Sequence, residues 1–526
     1  MSTHVPGSNE PEYLGTGSRS DSAGPQRGRR TGLIAAAAVA VVAAVAAGSY
    51  GVLQLMSGGS APATAVPADA LAYVSLDLDP SASQKIEAFR LLRKFPAIKE
   101  ELGSGDDVRK ALFDQYREDS DCPGLDYARD VEPWIGNRIA LAAVPDPEKG
   151  AVPLVVLQVG DEAKAKAGFS KLTTCDDADA SGGVSFVGDY MLLAETQRQA
   201  DGMAADAERA TLADSAAFTT AMARAGDPGI VSMYVSEDAP QAFVTAQKKA
   251  QADVSGMGTV GPEQIGEVFR DFDGAAGVLR FEDGAVEAEF AASGMPSKIG
   301  DEATQVGSLP ATTAVALSFA LPDGWAEDYL DLMGQTLPDG ESVDGMLREA
   351  EQATGLRLPE DLETLLGDGI SLSVDGGADL KALTESADPT RVPVGIRIQG
   401  DPDEIAPVIA RLKKAVGPDA DLVKVGTGDG TVAVSLDGRY VDTLLGNGGL
   451  GSVAAFSDVV PDADRASGVF YLNFDAGDGW AERLGDLLSD GDAEVRQNIA
   501  PLDALGISGW QDDDQVQHSL LRLTTA

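Results

Sequence analysis

The stretch "LDYARDVEPWIGNRIALAAV" (residues 125–144) has a second version later in the chain, "LRLPEDLETLLGDGISLSVD" (residues 356–375). Each version predicts a short acidic helix, then a step from a large apolar residue to glycine, and then a strand with alternating apolar residues. A pattern that covers several elements and occurs twice indicates two copies of one structural unit.

Shorter matches on either side of this stretch keep the same order in both parts of the chain. They are "ALAYVSLDL" (70–78) with "TAVALSFAL" (313–321), "VPLVVLQVGD" (152–161) with "VPVGIRIQGD" (392–401), "AAF" (216–218) with "AAF" (454–456), "GIVSMYV" (229–235) with "GVFYLNF" (468–474), and "GVLRFEDGAVEAEF" (277–290) with "GWQDDDQVQHSLL" (509–521). The sequence therefore predicts two tandem, homologous domains, residues 66–295 and 306–526, with a linker at 296–305.

Alternating or apolar runs predict the strands of each domain. In the first copy they lie at 71–78, 139–144, 152–159, 183–187, 190–195, 229–235, 276–282 and 285–291. Two-residue hairpin turns are predicted at Gly188-Asp189, Asp283-Gly284 and Asp437-Gly438. Many hairpins with helices segregated between them indicate an α+β fold with a mainly antiparallel sheet in each domain.

An uncharged, apolar segment precedes the first copy, from residue 31 to residue 56. A helix over its core would span ~30 Å, the hydrocarbon thickness of a bilayer. We predict a transmembrane helix at 31–56, after a disordered tail at 1–30 and before a linker at 57–65. A cleaved export signal is the alternative, although such signals usually have a shorter apolar core.

The charges beside this segment predict its orientation. Arg27, Arg29 and Arg30 stand directly before it, which favours a cytoplasmic N-terminus and a body outside the cell. The prediction is a single-pass protein of the plasma membrane, with the lipid bilayer as its first partner. Ala40, Ala44 and Gly48 share one helix face, which favours a weak homodimer through this helix, although an Ala-rich helix shows such spacing by chance.

The chain is strongly acidic, with 84 Asp and Glu residues against 40 Lys and Arg residues and a net charge of −44. Such a field disfavours nucleic acid, anionic lipid headgroups and anionic wall polymers. It would attract a cation or a basic protein of the envelope. The alternative is that the acidic composition simply aids solubility.

The two cysteines, Cys122 and Cys175, both lie in the predicted external body. An even pair in an oxidising compartment predicts one disulfide. Closing this loop would stabilise the fold by roughly 4 kcal/mol in the chain-entropy model. A catalytic thiol would need a base, and the sequence has only His4 and His518.

No pattern of catalytic or cofactor-binding residues stands out, so we predict no catalytic residue and no cofactor. One histidine in the external body excludes a His/Cys zinc site and leaves only His518 for a Ser-His-Asp triad. "GNGGLG" (446–451) fits a nucleotide-binding pattern after a predicted strand, but no βαβ unit surrounds it, so a flexible loop is favoured.

Acidic pairs near turns leave a weak calcium site as an open question. The pairs are Asp77 with Asp79, Asp271 with Asp273, and Asp475 with Asp478. None completes the spacing of a twelve-residue calcium loop, and a solvated acidic surface is the alternative.

Two stretches of the first copy, "PADALAYVSLDLDPSASQKIEAFRLLRKFP" (67–96) and "DVEPWIGNRIALAAVP" (130–145), resemble an uncharacterised family from actinobacterial envelopes. Its members are single-span, extracytoplasmic proteins that carry a domain of unknown function. The resemblance implies an anchored location, and it carries over no functional residue, because neither stretch is a catalytic motif.

These observations predict a non-enzymatic module that binds or scaffolds a partner at the outer face of the membrane. The alternative is a carboxylate-based hydrolase that acts on cell-wall glycan or peptide. That activity would need two acids in one cleft, at least one with a raised pKa.

Overall fold

The fold is described from a computed structural model. It describes residues 61–96, 109–110, 113–114, 117, 124–174, 182–250, 269–295, 302–336, 342–379, 388–446, 448–477, 480, 483 and 493–526. The predicted transmembrane segment at 31–56, Cys122 and Cys175 all lie outside these residues. Of the helices within them, none is long and apolar enough to cross a bilayer.

The first half of the described chain contains eight strands and six α-helices. The strands are β1 (Ala72–Asp77), β2 (Ile135–Asp146), β3 (Gly150–Val159), β4 (Gly183–Val187), β5 (Tyr190–Ala194), β6 (Val231–Val235), β7 (Ala275–Glu282) and β8 (Ala285–Ala292). The helices are α1 (Ala82–Leu92), α2 (Tyr127–Asp130), α3 (Glu162–Thr174), α4 (Gln197–Arg209), α5 (Ala216–Arg224) and α6 (Ala239–Ala250).

The second half contains eight strands and, among its described residues, seven α-helices. The strands are β9 (Thr313–Ala320), β10 (Gly369–Asp375), β11 (Val394–Gln399), β12 (Lys424–Gly428), β13 (Thr431–Ser435), β14 (Gly468–Asn473), β15 (Leu502–Gln511) and β16 (Gln517–Thr525). The helices are α7 (Trp325–Thr336), α8 (Val343–Thr354), α9 (Glu360–Leu366), α10 (Pro402–Val416), α11 (Gly438–Leu445), α12 (Ala454–Val459) and α13 (Ala493–Ile499).

All sixteen strands form one continuous sheet, in the order β12-β13-β11-β10-β9-β14-β15-β16-β8-β7-β6-β1-β2-β3-β5-β4. Every neighbouring pair is antiparallel. The second eight strands repeat the order of the first eight, and the last strand of each half, β8 and β16, pair with each other. The predicted α+β class with an antiparallel sheet is confirmed, but one sheet runs through both predicted domains.

All eight strands predicted for the first copy are present within a few residues. Their alternating residues place apolar side chains on a buried face, which specifies the strand register. The hairpin turns at Gly188-Asp189 and Asp283-Gly284 are also confirmed. In the second turn Asp283 and Gly284 have φ values of 49° and 77°, as a two-residue turn of the primed type requires.

The turn predicted at Asp437-Gly438 is wrong, because Asp437 begins a helix. Its carboxylate accepts the backbone N–H of Arg439 at 2.9 Å and caps α11. The hairpin in this part of the chain turns instead at residues 429–430, between β12 and β13. "GNGGLG" therefore follows a helix and not a strand, and it leads into the short 3₁₀ helix Leu450–Ser452.

One face of the sheet, the covered face, carries helices along both halves. In the first half α4 and α5 pack on Tyr73, Leu154 and Leu192, among others. In the second half α11 and α12 pack on Ala433 and Tyr471. These two clusters are the main apolar cores of the protein.

On the opposite face, the helices among the described residues lie towards its ends and near its centre on one side. There α3 covers the outer strands of the first half, and α9 with α10 covers those of the second half. Helix α1 packs beside the centre, where Leu91 and Leu92 contact Phe281. The central strands β9, β14, β15, β16 and β8 lie between these helices on this face.

Candidate functional site

Three rows of apolar side chains cross the centre of this second face, and we call them the open face. Cross-strand partners in an antiparallel sheet lie on the same face, so the strand register defines each row. The middle row is Leu317, Phe470, Ile507, Leu521, Ala288 and Leu279, and the lower row is Val315, Leu472, Leu505, Leu523, Val286 and Phe281. The upper row is Phe319, Gly468, Gly509, Ser519, Phe290 and Gly277.

Part of the open face is exposed although its rows contain no charged side chain, whereas Phe281 and Ala288 on the first-half side are buried. Phe319 is 44% exposed and Phe290 is 41% exposed, and Leu317 and Ile507 are exposed beside them. Soluble proteins seldom leave contiguous apolar patches of this kind uncovered unless the patch binds something. The open face is therefore the candidate site.

The upper row contains a depression between two phenylalanines. Phe319 and Phe290 stand on β9 and β8, four strand spacings apart, or about 19 Å. Between them, Gly468, Gly509 and Ser519 form a floor with almost no side chain. A Cβ at Gly509 would meet only a backbone oxygen, at 3.6 Å, so the space above this glycine is free of side chains.

The same central strands carry charged residues on their covered face. Glu287 on β8 lies between Arg280 on β7 and Arg522 on β16, as the cross-strand partner of both. Arg522 Nη1 lies 2.7 Å from Glu287 Oε2, and Arg280 also contacts this carboxylate. Glu287 and Arg280 are buried. The usual arrangement is thus reversed at the centre, with charges inside and apolar groups outside.

A basic cluster lies at the lower end of the open face. Helix α1 ends at Leu92, and Arg90, Arg93 and Lys94 lie in its last turn or just after it. These three cations line a cleft of about 760 Å³ together with Thr525. Lys94 Nζ donates to Thr525 Oγ1 at 2.9 Å. Thr525 follows Leu523 of the lower row by two residues, so the cluster continues the open face at that end.

Gln84 holds α1 in this place. Its side-chain amide donates to the carbonyl oxygen of Phe281 and accepts from the backbone N–H of Phe281, both at 2.8 Å. Phe281 belongs to the lower row, so two hydrogen bonds fix the helix against the edge of the open face.

Buried aspartates occur at matching places in the two halves, but they are paired with cations. Asp130 at the end of α2 accepts from Arg129 and from Lys171 of α3, and the hydrogen bonds from Arg129 hold its pKa well below the ordinary value. Asp361 in α9 accepts the backbone N–H of Arg357 and contacts Arg411 of α10, and these hydrogen bonds lower its pKa too.

A hydrolase acid needs a raised pKa in a cleft, and neither aspartate meets this requirement. Burial does raise the pKa of Glu287. That carboxylate, however, lies between two arginines under the covered face and lines neither of the two clefts described.

His518 lies on the covered face of β16. Its ring stacks on Trp510 with centroids 5.2 Å apart, and its Nε2 lies 3.2 Å from Asp512 Oδ2. These contacts connect the loop between β15 and β16 to both strands of the hairpin.

Of the acidic pairs in the sequence, Asp77 and Asp79 both take part in ion pairs. Asp77 Oδ2 accepts from Arg138 Nε at 2.9 Å, and Asp79 pairs with Lys85. Asp478, the partner predicted for Asp475, is outside the described residues. Within the described part of the chain, no group of three His, Cys, Asp or Glu residues could hold a metal ion.

An acidic cleft of about 140 Å³ lies between the ends of β9, β10 and β11. Asp323, Glu363, Asp368, Asp401 and Glu404 line it, with Trp325. It is small and open, and it shares no residue with the open face.

Sequence reasoning missed the open face, although one signal for it was present. "TAVALSFA" on β9 is apolar on both faces, which normally indicates a strand covered on both sides. Among the described residues, one of those faces is covered, and the other leaves Leu317 and Phe319 exposed. A strand that is apolar on both faces therefore marks either a second layer or a binding surface, and the sequence does not distinguish them.

The fold and the site define a class: an α+β protein built on one long antiparallel sheet, with an exposed apolar surface at its centre. More particularly, the chain belongs to the family described as "Protein of unknown function (DUF3352)", whose model matches residues 32–374.

No curated protein matches the chain significantly. Among solved structures, "Structure of crystal form III of TP0453" aligns with 46% of this chain and 83% of its own, at 8% identity and a TM-score of 0.22. A likeness at that score supports no conclusion on fold or function.

Proposed function

We propose that this protein is a non-enzymatic binding module and that the open face is its binding surface. The observation that carries the proposal is the exposure of Phe319, Phe290, Leu317 and Ile507 on one uncharged surface. Leaving these groups in water costs about 25 cal/mol per Å² of apolar area. A ligand that covers the open face would recover this free energy.

The proposal places this module outside the cell, held by a transmembrane helix at residues 31–56. The apolar, uncharged sequence and the arginines before it support the anchor and its orientation. The family match begins at residue 32, inside the apolar segment, so this segment belongs to the matched region. An actinobacterial origin would agree with the resemblance of residues 67–96 and 130–145.

We also infer that the two halves arose by duplication. Their strands follow the same order, and their buried aspartates, Asp130 and Asp361, begin matching contacts with the next long helix. In this reading the open face formed where the two copies joined, at β8 and β16.

Photocrosslinking in cells tests the binding surface directly. The full chain would carry benzoylphenylalanine at Phe319 or at Phe290, and at Phe243 as the control. Phe243 on α6 is 50% exposed, at least as much as the other two, but it lies outside the open face. We expect covalent adducts at residues 319 and 290 that are absent at residue 243. Equal, background-level crosslinking at all three positions would contradict the proposal.

A further inference from the structure

We infer that the ligand of the open face is a membrane phospholipid with an anionic headgroup. Its acyl chains would lie on the open face, and its headgroup would lie against the basic end of α1. This inference rests on the proposed function, because it names the ligand class for the same surface.

The chemistry of the three rows favours alkyl chains over a polypeptide. Ser519 is the one polar side chain among the residues of the rows. A protein partner brings backbone and side-chain polar groups, which need hydrogen bonds once they are buried. Alkyl chains need only apolar contact, which the rows provide.

The dimensions of the path also fit a lipid. Along β16, the path from Thr525 beside Lys94 to Ser519 in the upper row covers six residues, or about 20 Å. The hydrocarbon of one bilayer leaflet is ~15 Å thick, half of the ~30 Å core. An acyl chain of that length, starting at the basic cluster, crosses the lower and middle rows and ends within about 5 Å of Ser519. The ring of Phe319 lies beside Gly468, whereas Gly509 leaves room for a chain end between the two phenylalanines.

Charge complementarity selects the headgroup. Arg90, Arg93 and Lys94 are three cations in five residues of a chain with a net charge of −44. They lie at the C-terminal end of α1, where the helix dipole also favours cations. Arg90 pairs with Glu87 at 2.7 Å, Lys94 Nζ donates to Ala526 O at 2.7 Å, and Asp283 lines the same cleft. The headgroup assignment therefore rests on Arg93, which forms no ion pair with the described residues.

Arg93 is exposed and stacks on Phe89, with its guanidinium carbon 5.0 Å from the ring centroid. Its guanidinium offers donors to a phosphate without displacing the apolar contacts of Leu91 and Leu92. The three N–H groups of Lys94 already donate to Thr525 and Ala526. Arginine and lysine both bind phosphate through charge-assisted hydrogen bonds.

The experiment uses the full chain reconstituted in vesicles that contain a diazirine-labelled phospholipid. One preparation carries labelled phosphatidylglycerol, which is anionic, and the other carries labelled phosphatidylcholine. After irradiation, mass spectrometry measures the label on peptides from β9, β15 and β16. We expect phosphatidylglycerol to label these peptides about fivefold more than phosphatidylcholine, the ratio that one cation near an anionic lipid produces.

Two variants separate the parts of the inference. Gly509→Leu fills the floor of the upper row without a backbone clash and should lower labelling by both lipids about tenfold. Gly202→Leu adds the same side chain at an open, exposed place on α4 and should change neither. Arg93→Glu should bring the two lipids to equal labelling.

Each other result has a definite meaning. Equal labelling of the wild-type chain by both lipids would overturn the headgroup assignment and leave apolar binding intact. No lipid label on these peptides, together with protein adducts from residue 319 in the cell experiment, would overturn the lipid and support a polypeptide ligand. The absence of both kinds of adduct would overturn the proposed function as well.

Discussion

Phe218 in the first half and Phe456 in the second half hold the same place against the sheet. Phe218 packs edge-on against Tyr234 of β6, with ring centroids 5.2 Å apart, and Phe456 packs edge-on against Tyr471 of β14 at 5.1 Å. In the first half Tyr73 adds a third ring, whereas Ala316 faces Tyr471 in the second half. Both halves therefore have the phenylalanine–tyrosine pair, whereas the third ring is present in the first half and is replaced by Ala316 in the second.

The hairpins at the centre of the sheet differ more. The cross-strand pair Arg280 and Glu287 in the first half has its counterpart in Trp510 and His518 in the second. One pair is a buried ion pair, and the other is a stacked pair of rings whose planes differ by 4°. The same strand geometry therefore accepts unrelated chemistry.

The aromatic pair gives the largest expected effect. Phe456→Ala should lower the free energy of unfolding by about 4 kcal/mol, because a fully buried ring leaves a cavity. Phe218→Ala should cost less, since Phe218 is only partly buried. Urea unfolding of the full chain, followed by circular dichroism, measures both. An equal or larger loss for Phe218→Ala would mean that the two rings do not play the same role.

The central pairs provide the second comparison. Glu287→Leu should destabilise the protein by about 3 kcal/mol, because it leaves Arg522 without the carboxylate that it contacts. His518→Leu at the matching position should cost about 1 kcal/mol, the value of one hydrogen bond, here to Asp512. Calorimetric scans of both variants would measure the difference. If the two variants lose the same stability, the ion pair has no special role at the junction of the halves.

The paired aspartates should behave alike in the two halves. Asp130→Ala and Asp361→Ala should each cost about 2 kcal/mol at pH 7, since each carboxylate accepts charge-assisted hydrogen bonds while buried. Both pKa values are lowered in the folded protein, so this stabilisation is complete above the ordinary value of 3.8. It is lost as the pH falls below that value, through the lowered pKa.

The difference in free energy of unfolding between wild type and either aspartate variant should therefore shrink as the pH falls from about 5 to about 2, the range in which carboxyl groups take up protons. Urea titrations at several pH values measure this gap. A gap that stays constant down to the lowest pH would show that charge is not what stabilises these sites.

The local elements could be predicted because they depend on neighbouring residues. The turn at Asp283-Gly284 follows from two residues, and β4 at 183–187 follows from alternation alone. One of the sequence matches between the halves, however, is displaced by two residues from the match that the strand register gives. The register places Tyr234 opposite Tyr73 and Tyr471 opposite Ala316, whereas the matching of 229–235 with 468–474 equates Tyr234 with Asn473. A displacement of two residues keeps the same face, so alternation does not detect it.

The junction of β8 with β16 and the open face could not be predicted in the same way. "AVEAEFAA" on β8 alternates apolar and acidic residues, and the usual rule places Glu287 and Glu289 in solvent. The structure places Glu287 inside, between Arg280 of the adjacent hairpin strand and Arg522, which comes from the other half of the chain. Which side of such a strand is buried depends on these partners, and a single sequence does not show them.

A buried hydroxyl pair offers the finest comparison between the halves. Ser318 and Ser371 are cross-strand partners, with their Oγ atoms 2.7 Å apart, and the matching partners in the first half are Ser75 and Ala140. Ser371→Ala gives the second half the chemistry of the first, and it should cost about 1 kcal/mol, because it leaves the Ser318 hydroxyl unpaired. The double variant Ser318→Ala with Ser371→Ala removes both hydroxyls and should unfold within about 0.5 kcal/mol of wild type. The single variant Ser318→Ala completes the comparison. If the double variant loses as much free energy of unfolding as the two single variants together, the hydroxyls do not act as a pair. The second half would then hold its polar core by contacts other than this hydrogen bond.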